Sequence, residues 1–199
     1  MNKITQPGKC GPQVPEAQPV LDQRSPEIQH LGTLVHYPLA LPEDAKKASV
    51  AALNQILADS VVLRELYKKG HWQVTGATFF QLHLLFDKHF DEQNGLIDMI
   101  GERIQTLGGV TVVMPIDVAR ATKIPSPPTG REQAPVILSR LLEAHEVLLA
   151  EVRAAARAAA AQGDDGTNDL LVTDVLRTNE KQVWFVAQHL VDTPEVCAR

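Results

Sequence analysis

Apolar residues recur at three- and four-residue steps along four long stretches of the chain, a spacing that predicts amphipathic α-helices. The first helix should open after Pro42, where two acidic residues suit the positive end of the helix dipole. The pattern therefore predicts an all-α chain, with long helices from Pro42 to a turn around Gly70–Gly76, over about Phe79–Leu107 before the stop at Gly108-Gly109, over about Arg131–Gln162, and from the break at 163–169 to about Val191, with a short helix around Ile116–Thr122.

The first 42 residues lack this periodicity. Seven prolines remove backbone donors there and disfavour helix. The sequence thus divides into a flexible Pro-rich tail over 1–42, a helical domain over 43–192 and a short C-terminal tail over 193–199. His30 and His36 offer imidazoles in the first tail, and Glu27 precedes His30 by three residues, yet Pro26 and the lack of a second such pair make a metal site there the weaker interpretation.

Polar side chains interrupt the second predicted helix on one face. At 100° per residue, His83, Asp87, Asp98 and Glu102 fall at about 0°, 40°, 60° and 100°, roughly a quarter turn. His71 continues the apolar row of the first helix and should point at the core. Imidazoles and carboxylates without a thiolate suit Fe(II), although zinc accepts the same ligands. These five residues are the candidate metal ligands.

The four ligands of the second helix cannot form one site. At about 1.5 Å of rise per residue, Asp87 and Asp98 lie roughly 16 Å apart along the axis. A second copy laid antiparallel across this face would complete two sites, each with His83 and Asp87 of one chain and Asp98 and Glu102 of the other. The two sites would be roughly 22 Å apart, with the twofold axis near Glu92 and Gln93.

Three motifs in this region resemble those of the Dps family, the mini-ferritins that protect bacterial DNA from iron and peroxide. They are K-x-x-H-W at 68–72, F-F-x-L-H-x-L-F-D at 79–87 and I-D-x-x-x-E-R-I-x-x-L-G-G at 97–109. The resemblance covers roughly 43–192 and implies a ferritin-like four-helix bundle with the short helix between helices two and three. It also implies that His71, His83 and Asp87 of one subunit meet Asp98 and Glu102 of its twofold partner.

The family resemblance carries a function with it. It implies a ferroxidase that oxidises Fe(II), preferentially with hydrogen peroxide, and stores Fe(III) mineral in a hollow homo-oligomer, a dodecamer built from twofold dimers. Two neighbouring Fe(II) ions would supply both electrons to one peroxide. The protein would position the iron, which carries the redox chemistry itself.

Other residues receive roles from the same resemblance. Trp72 would intercept oxidising equivalents, and packing at the subunit contact is a compatible alternative. Asp164, Asp169 and Asp174 fall where the family lines a threefold pore for cations, although carboxylates near a helix N-terminus also serve as caps. Asp91 and Glu92 are interpreted as solvated or interface residues, and His89, near 240° from His83, as a surface or interface residue.

The charge and composition of the chain bear on whether it binds DNA or enters a membrane. The chain is 44% hydrophobic and 22% charged, as in ordinary soluble proteins, with a formal charge of −5. Lys3, Lys9 and Arg24 in the tail are balanced by Glu16, Asp22 and Glu27. Because phosphate binding draws its affinity from positive charge, DNA compaction is not favoured and stays open as the alternative function. Without an apolar run for a membrane span or secretory signal, the expected location is the cytoplasm.

Overall fold

Four long helical regions and one short helix organise the computed structural model, which describes residues 17–191. Within those residues the regular elements are all helical. They are α1 (Glu43–Gln73), α2 (Phe79–Thr106), α3 (Pro115–Ala121), α4 (Ala134–Ala161), α5 (Asp165–Asp169), a π-helical segment (Leu170–Leu176) and α6 (Arg177–Gln188). The last three elements follow one another without a break and together form the fourth long region of the bundle. The all-α prediction is confirmed, with each long helix near its predicted position.

The core lies between the four long regions. The predicted apolar row of α1 is buried, from Leu53 and Ile56 to Leu63 and Tyr67, each at most 1% exposed. It packs against α2 and α4, while α4 also contacts α5, the π-helical segment and α6. Leu141 and Leu148 of α4 and Val175 and Val186 of the fourth region complete the interior. This arrangement is a four-helix bundle.

The turns use glycine where the backbone requires it. Gly76, between α1 and α2, has a φ of 105°, and Gly108, after α2, has a φ of 87°. These left-handed values are accessible to glycine without the steric cost that a side chain brings. At Gly108 a Cβ would also collide with the carbonyl oxygen of Val35. The second glycine requirement therefore comes from a chain segment packed against the helix end.

That segment changes the picture of the N-terminal tail. The backbone N–H of Val35 donates to the Gly108 carbonyl at 2.8 Å, and the Gln29 side chain donates to the same oxygen at 2.9 Å. Leu34 and Leu41 pack against the core. The prediction treated 1–42 as uniformly flexible, but Gln29 and Val35 are hydrogen-bonded to the glycine turn that follows α2. The part of the tail at 1–16 and the C-terminal residues 192–199 lie outside the described residues.

Polar side chains of α1 hold the long connection that contains α3. Gln55 donates to the Ala121 carbonyl at 3.0 Å. The carboxylate of Asp59 accepts from the Thr122 hydroxyl at 2.6 Å and from the Lys123 N–H at 2.7 Å. Asp59 is fully buried, so these bonds replace its lost hydration. The short helix is thereby fixed against α1.

Candidate metal centre

The structure brings His71 and His83 together at the α1–α2 turn. Their rings stack with centroids 3.8 Å apart and an interplanar angle of 20°. The Nδ1 of His71 lies 2.8 Å from the carbonyl oxygen of His83, and the Nδ1 of His83 lies 2.9 Å from that of His71. A carbonyl can only accept, so each Nδ1 carries a proton, and the lone pair in the neutral form of each ring lies on Nε2. Both imidazoles are thus set in the tautomer that binds a metal through Nε2.

Asp87 completes this half of the site, one turn beyond His83 on α2. Its Oδ1 lies 3.7 Å from the Nδ1 of His71 and accepts a hydrogen bond from the Lys68 ammonium at 2.7 Å. The Lys68 hydrogen bond lowers the pKa of Asp87 below its usual value, and the nearby histidines act in the same direction. The carboxylate is therefore ionised and ready to bind a cation. We call His71, His83 and Asp87 the histidine half-site.

Asp98 and Glu102 form a second, separate group farther along α2. Both are exposed and stand one turn apart. They line an open groove of ≈ 570 Å³ with Leu57, Ile97 and Gly101. Among the described residues, no hydrogen bond or ion pair holds either carboxylate. We call Asp98 and Glu102 the carboxylate half-site.

Neither half-site is a complete metal centre within one chain. Over residues 17–191, no group of three or more histidine, cysteine, aspartate or glutamate side chains is arranged to hold a metal ion. The histidine half-site supplies two imidazoles with a carboxylate held by Lys68, and the carboxylate half-site supplies two oxygen donors. Their donor chemistry fits Fe(II) if one set faces the other from a second copy. The inter-subunit centre therefore stays a prediction, and the donor orientation is consistent with it.

The midpoint of α2 is the height at which the twofold axis is predicted, near Glu92 and Gln93. Gln93 is fully buried and Glu92 turns toward Lys88, so neither side chain lies on the face of the candidate ligands. The exposed residues at this level are Asp91, Asn94 and Gly95, and Gly95 has open space where a Cβ would stand. An antiparallel partner would cross at this height over these residues. The axis at this height stays a prediction.

Aromatic side chains beside the histidine half-site are exposed in the single chain. Trp72 is 69% exposed, and Phe79 and Phe80 are 44% and 65% exposed. Trp72 also borders a groove of ≈ 680 Å³ between α1 and the α3 connection. A contiguous apolar surface of this kind is typical of a protein interface. This favours the packing role for Trp72, while its proposed redox role stays a prediction.

Two histidines are buried in the core of the bundle. His89 is fully buried, so its interpretation as a surface or interface residue was wrong. It shares an arc of α2 with Leu82 and Phe86, and that shared arc was a signal for burial. His145 of α4 is also fully buried, and its Nε2 lies 2.6 Å from the Tyr67 hydroxyl. Its place between Leu141 and Leu148 on the apolar row could have revealed it.

The candidate pore residues differ from one another. Asp164 is 2% exposed, accepts from the Thr167 N–H at 3.1 Å and pairs with Arg103. This is the geometry of a helix cap, the alternative that the sequence left open. Asp169 is exposed and accepts from the Thr173 hydroxyl at 2.9 Å, whereas Asp174 is partly buried. Their pore role stays a prediction.

The histidines of the tail form pairs rather than a cluster. His30 lies 2.8 Å from Glu27, and His36 lies 3.1 Å from Glu43. All four side chains are exposed. Each imidazole therefore has one carboxylate neighbour, which supports the weaker standing of a metal site in the tail.

The chain is similar to known proteins in both sequence and fold. Residues 50–196 match the family model of the ferritin-like domain. An uncharacterized protein from the bpoA2 5′ region of Kitasatospora aureofaciens is 52% identical over 74% of this chain and 99% of its own length. DpsC from Streptomyces coelicolor has 57% identity and a TM-score of 0.85, covering 86% of this chain and all of DpsC.

A more distant structure adds chemistry to the comparison. The DPS protein from Vibrio cholerae O1, described as a member of a broad superfamily of ferritin-like diiron-carboxylate proteins, has 26% identity and a TM-score of 0.74. It covers 80% of this chain and 99% of the V. cholerae chain. Among the described residues of the present chain, no helix has the length and apolar character of a membrane span.

Proposed function

Since the chain belongs to the Dps family of ferritin-like proteins, we propose that it takes up Fe(II), oxidises it at centres between twofold-related subunits and stores the Fe(III) mineral. A role in iron storage and protection follows from the family and from the diiron-carboxylate superfamily of its structural relative. The finer points, hydrogen peroxide as oxidant, a dodecameric shell and the five named ligands, are parts of this proposal. A cytoplasmic location stays a prediction.

One observation carries the proposal. The reciprocal Nδ1-to-carbonyl bonds of His71 and His83 fix both rings before any metal arrives, with both Nε2 lone pairs free of partners among the described residues. Fixing a ligand's rotation and tautomer through its other nitrogen is how proteins prepare imidazoles for metals. A pair that only packed would need no such matched orientation. This geometry favours a ligand role for the two histidines.

The carboxylates would balance the charge of the iron. In the proposed centre, Asp87 of one subunit would face Asp98 and Glu102 of the other, giving three negative charges for two Fe(II) ions. In the single chain these carboxylates carry no desolvation penalty, because water solvates them until the partner subunit binds. Within the dimer, Fe(II) would replace that hydration. Subunit association and iron binding would then support one another.

The reaction is a two-electron reduction of peroxide. Two Fe(II) ions each give one electron, two protons come from solvent, and the products are two Fe(III) ions and two molecules of water. The described side chains near the site hold the iron and do not need to act as acids, since solvent reaches the half-exposed Asp87. Delivering both electrons together avoids release of hydroxyl radical. Zinc would bind the same donors without this chemistry.

The direct test is an anaerobic Fe(II) titration of the metal-free protein, followed by addition of hydrogen peroxide. Wild type is compared with Asp98→Ala and with Asp91→Ala, an exposed carboxylate on the same face of α2. We expect saturable binding and rapid oxidation in wild type and Asp91→Ala, and loss of both in an Asp98→Ala protein that still assembles. Equal behaviour of Asp98→Ala and wild type would overturn the site. A gel shift with DNA at physiological salt measures the alternative function in the same samples.

A further inference from the structure

A tyrosine and a histidine that belong to neither half-site face each other in the interior of the bundle. The hydroxyl oxygen of Tyr67 on α1 lies 2.6 Å from the Nε2 of His145 on α4, and both side chains are fully buried. The Tyr67 ring meets His89 edge to face at 5.1 Å and lies 6.0 Å from Phe86. We call Tyr67 and His145 the core pair. It is a short hydrogen bond between a phenol and an imidazole in an apolar setting.

The environment keeps both partners of the core pair neutral. Burial raises the pKa of Tyr67 well above its usual value, and the charge of Glu92 adds to this effect. Burial lowers the pKa of His145 to about 3, with His89 acting in the same direction and Asn179 opposing it. The phenol therefore keeps its proton at neutral pH, and the imidazole keeps a basic lone pair. A proton can move from one to the other only if the phenol becomes more acidic.

Loss of an electron makes a phenol more acidic. A neutral tyrosine that gives up one electron becomes a strong acid, and its proton moves to the nearest base. Here that base is the Nε2 of His145, at 2.6 Å, and no solvent is needed. A buried tyrosine without such a base would retain a high-energy cation. The core pair thus has the geometry for coupled loss of an electron and a proton.

The core pair also stands close to the proposed iron centre. Tyr67 precedes His71 by one turn of α1, about 6 Å along the helix axis. Phe86, which contacts the Tyr67 ring, directly precedes Asp87 on α2. His71 is thus connected to Tyr67 through one helical turn, and Asp87 is connected to it through the neighbouring Phe86. This packed route through protein is short.

We propose that Tyr67 is a redox relay that supplies one electron to the iron centre while His145 receives its phenolic proton. This inference rests on the proposed peroxide-dependent oxidation of Fe(II). It concerns a centre that holds one Fe(II) when peroxide arrives. One Fe(II) gives one electron, and without a second donor the O–O bond would break into hydroxide and hydroxyl radical. Tyr67 provides the missing electron from inside the protein.

The step balances in atoms and charge. One Fe(II), one Tyr67 phenol, one neutral His145, one hydrogen peroxide and two solvent protons give one Fe(III), one neutral Tyr67 phenoxyl radical, one His145 imidazolium and two molecules of water. The O–O bond of peroxide and the phenolic O–H bond break. A later Fe(II) ion at the same centre returns an electron to Tyr67, and His145 returns the proton.

The sequence offers a matched control for the test. The chain contains two tyrosines, and the second, Tyr37, is 43% exposed in the N-terminal segment. We would compare wild type, Tyr67→Phe, Tyr37→Phe and His145→Gln as assembled full-length proteins. Each receives less than one Fe(II) per centre, then peroxide, and is frozen for electron paramagnetic resonance while Fe(II) oxidation is followed by absorbance. Ring-deuterated tyrosine narrows a tyrosyl signal and separates it from a radical on Trp72.

The expected result is a tyrosyl signal in wild type and Tyr37→Phe that is lost in Tyr67→Phe and weakened in His145→Gln, which keeps the phenol but removes its base. Site-dependent Fe(II) oxidation without a tyrosyl signal, or with a signal that survives Tyr67→Phe, overturns the relay and leaves the proposed function intact. If Tyr67→Phe does not assemble, an undiminished signal in His145→Gln overturns it instead.

A separate arm covers failure of the proposed function. If Asp98→Ala oxidises Fe(II) as fast as wild type, the iron centre is wrong. Iron-free protein is then oxidised by photogenerated ruthenium(III) tris-bipyridine, a one-electron oxidant. A tyrosyl signal lost in Tyr67→Phe supports the core pair as a redox site without the centre. Its absence from wild type overturns the core pair as well.

Discussion

Two sets of histidines meet opposite environments, His71 and His83 at the α1–α2 edge and His89 and His145 in the core between α2 and α4. In the histidine half-site, His71 and His83 sit at the protein edge, and backbone carbonyls occupy each Nδ1. In the core, the Nε2 of His145 is hydrogen-bonded to the Tyr67 hydroxyl, and both nitrogens of His89 lack a partner in the described part of the chain. The first pair is open for a ligand from outside. The second is closed within the chain.

The difference shows what decides the use of an imidazole. A histidine at a half-exposed edge can keep a free lone pair because water serves it until a ligand comes. A buried histidine loses that option, so its partner must be present in the fold. His145 meets this condition at its Nε2, whereas its Nδ1 and both nitrogens of His89 have no hydrogen-bond partner in the described part of the chain. The burial of a histidine and the partner of its ring nitrogens, rather than the residue type, therefore distinguish a candidate metal ligand from a candidate redox relay.

The largest effect is expected from mixing two inactive variants, which tests whether each centre takes one half-site from each subunit. His83→Ala lacks the histidine half-site, Asp98→Ala lacks the carboxylate half-site, and each alone should lose rapid Fe(II) oxidation. When they are unfolded and reassembled together, each mixed dimer has one intact centre and one doubly defective centre. Random pairing should therefore restore about a quarter of the wild-type centres. Fe(II) oxidation is measured against the unmixed proteins, and a mixture that stays inactive contradicts the inter-subunit arrangement.

Stability should separate the two core histidines. His145→Leu leaves the buried Tyr67 hydroxyl without its partner and should lower the unfolding free energy by about 1–3 kcal/mol. His89→Leu removes a buried imidazole that has no partner in the described part of the chain, so its effect should be smaller or of opposite sign. Urea unfolding at matched protein concentration measures both. Equal losses would show that His89 has a partner, such as a buried water.

The core should also make stability depend on pH. The folded pKa of His145 is lowered from 6.5 to about 3, so between these values the unfolded chain binds a proton that the folded chain does not. Stability contributed by the neutral ring is present above pH 6.5 and declines as the pH falls toward 3. In His145→Leu the slope over this window should be shallower by at most about 1.4 kcal/mol per pH unit per chain. Thermal unfolding from pH 7 to pH 4 compares the two, and parallel curves would show that His145 is charged in the folded state.

The smallest effect is expected on Fe(II) affinity, from the ion pair between Lys68 and Asp87 in the histidine half-site. Lys68 holds Asp87 through a partly exposed ion pair at 2.7 Å and competes with a metal for the same oxygen. Lys68→Met should therefore tighten Fe(II) binding by about fivefold or less, since ion pairs that water reaches are weak. Anaerobic titration gives the affinity, with Lys69→Met as the control because Lys69 bonds elsewhere. Weaker binding in Lys68→Met would mean that the ammonium positions Asp87 for the metal.

Much of the fold could be predicted because its signals are local. Pro42 marked the start of α1, and the Gly108-Gly109 pair marked the end of α2. The burial of Tyr67 followed from its place on the α1 row. The contact of Val35 with Gly108 could not be predicted, because it joins segments more than 70 positions apart without a periodic pattern.

The sequence by itself determined the helices and predicted the ligand types and the need for a second copy, since helical spacing alone places Asp87 and Asp98 too far apart for one site. Tertiary structure alone decided which partner each imidazole has. It oriented His71 and His83 through carbonyls twelve residues away, placed His145 against a hydroxyl 78 residues away and paired Asp164, the N-cap of α5, with Arg103. The physical reason is that periodicity fixes the face of a helix, whereas a hydrogen bond depends on which atom another segment brings within 3 Å.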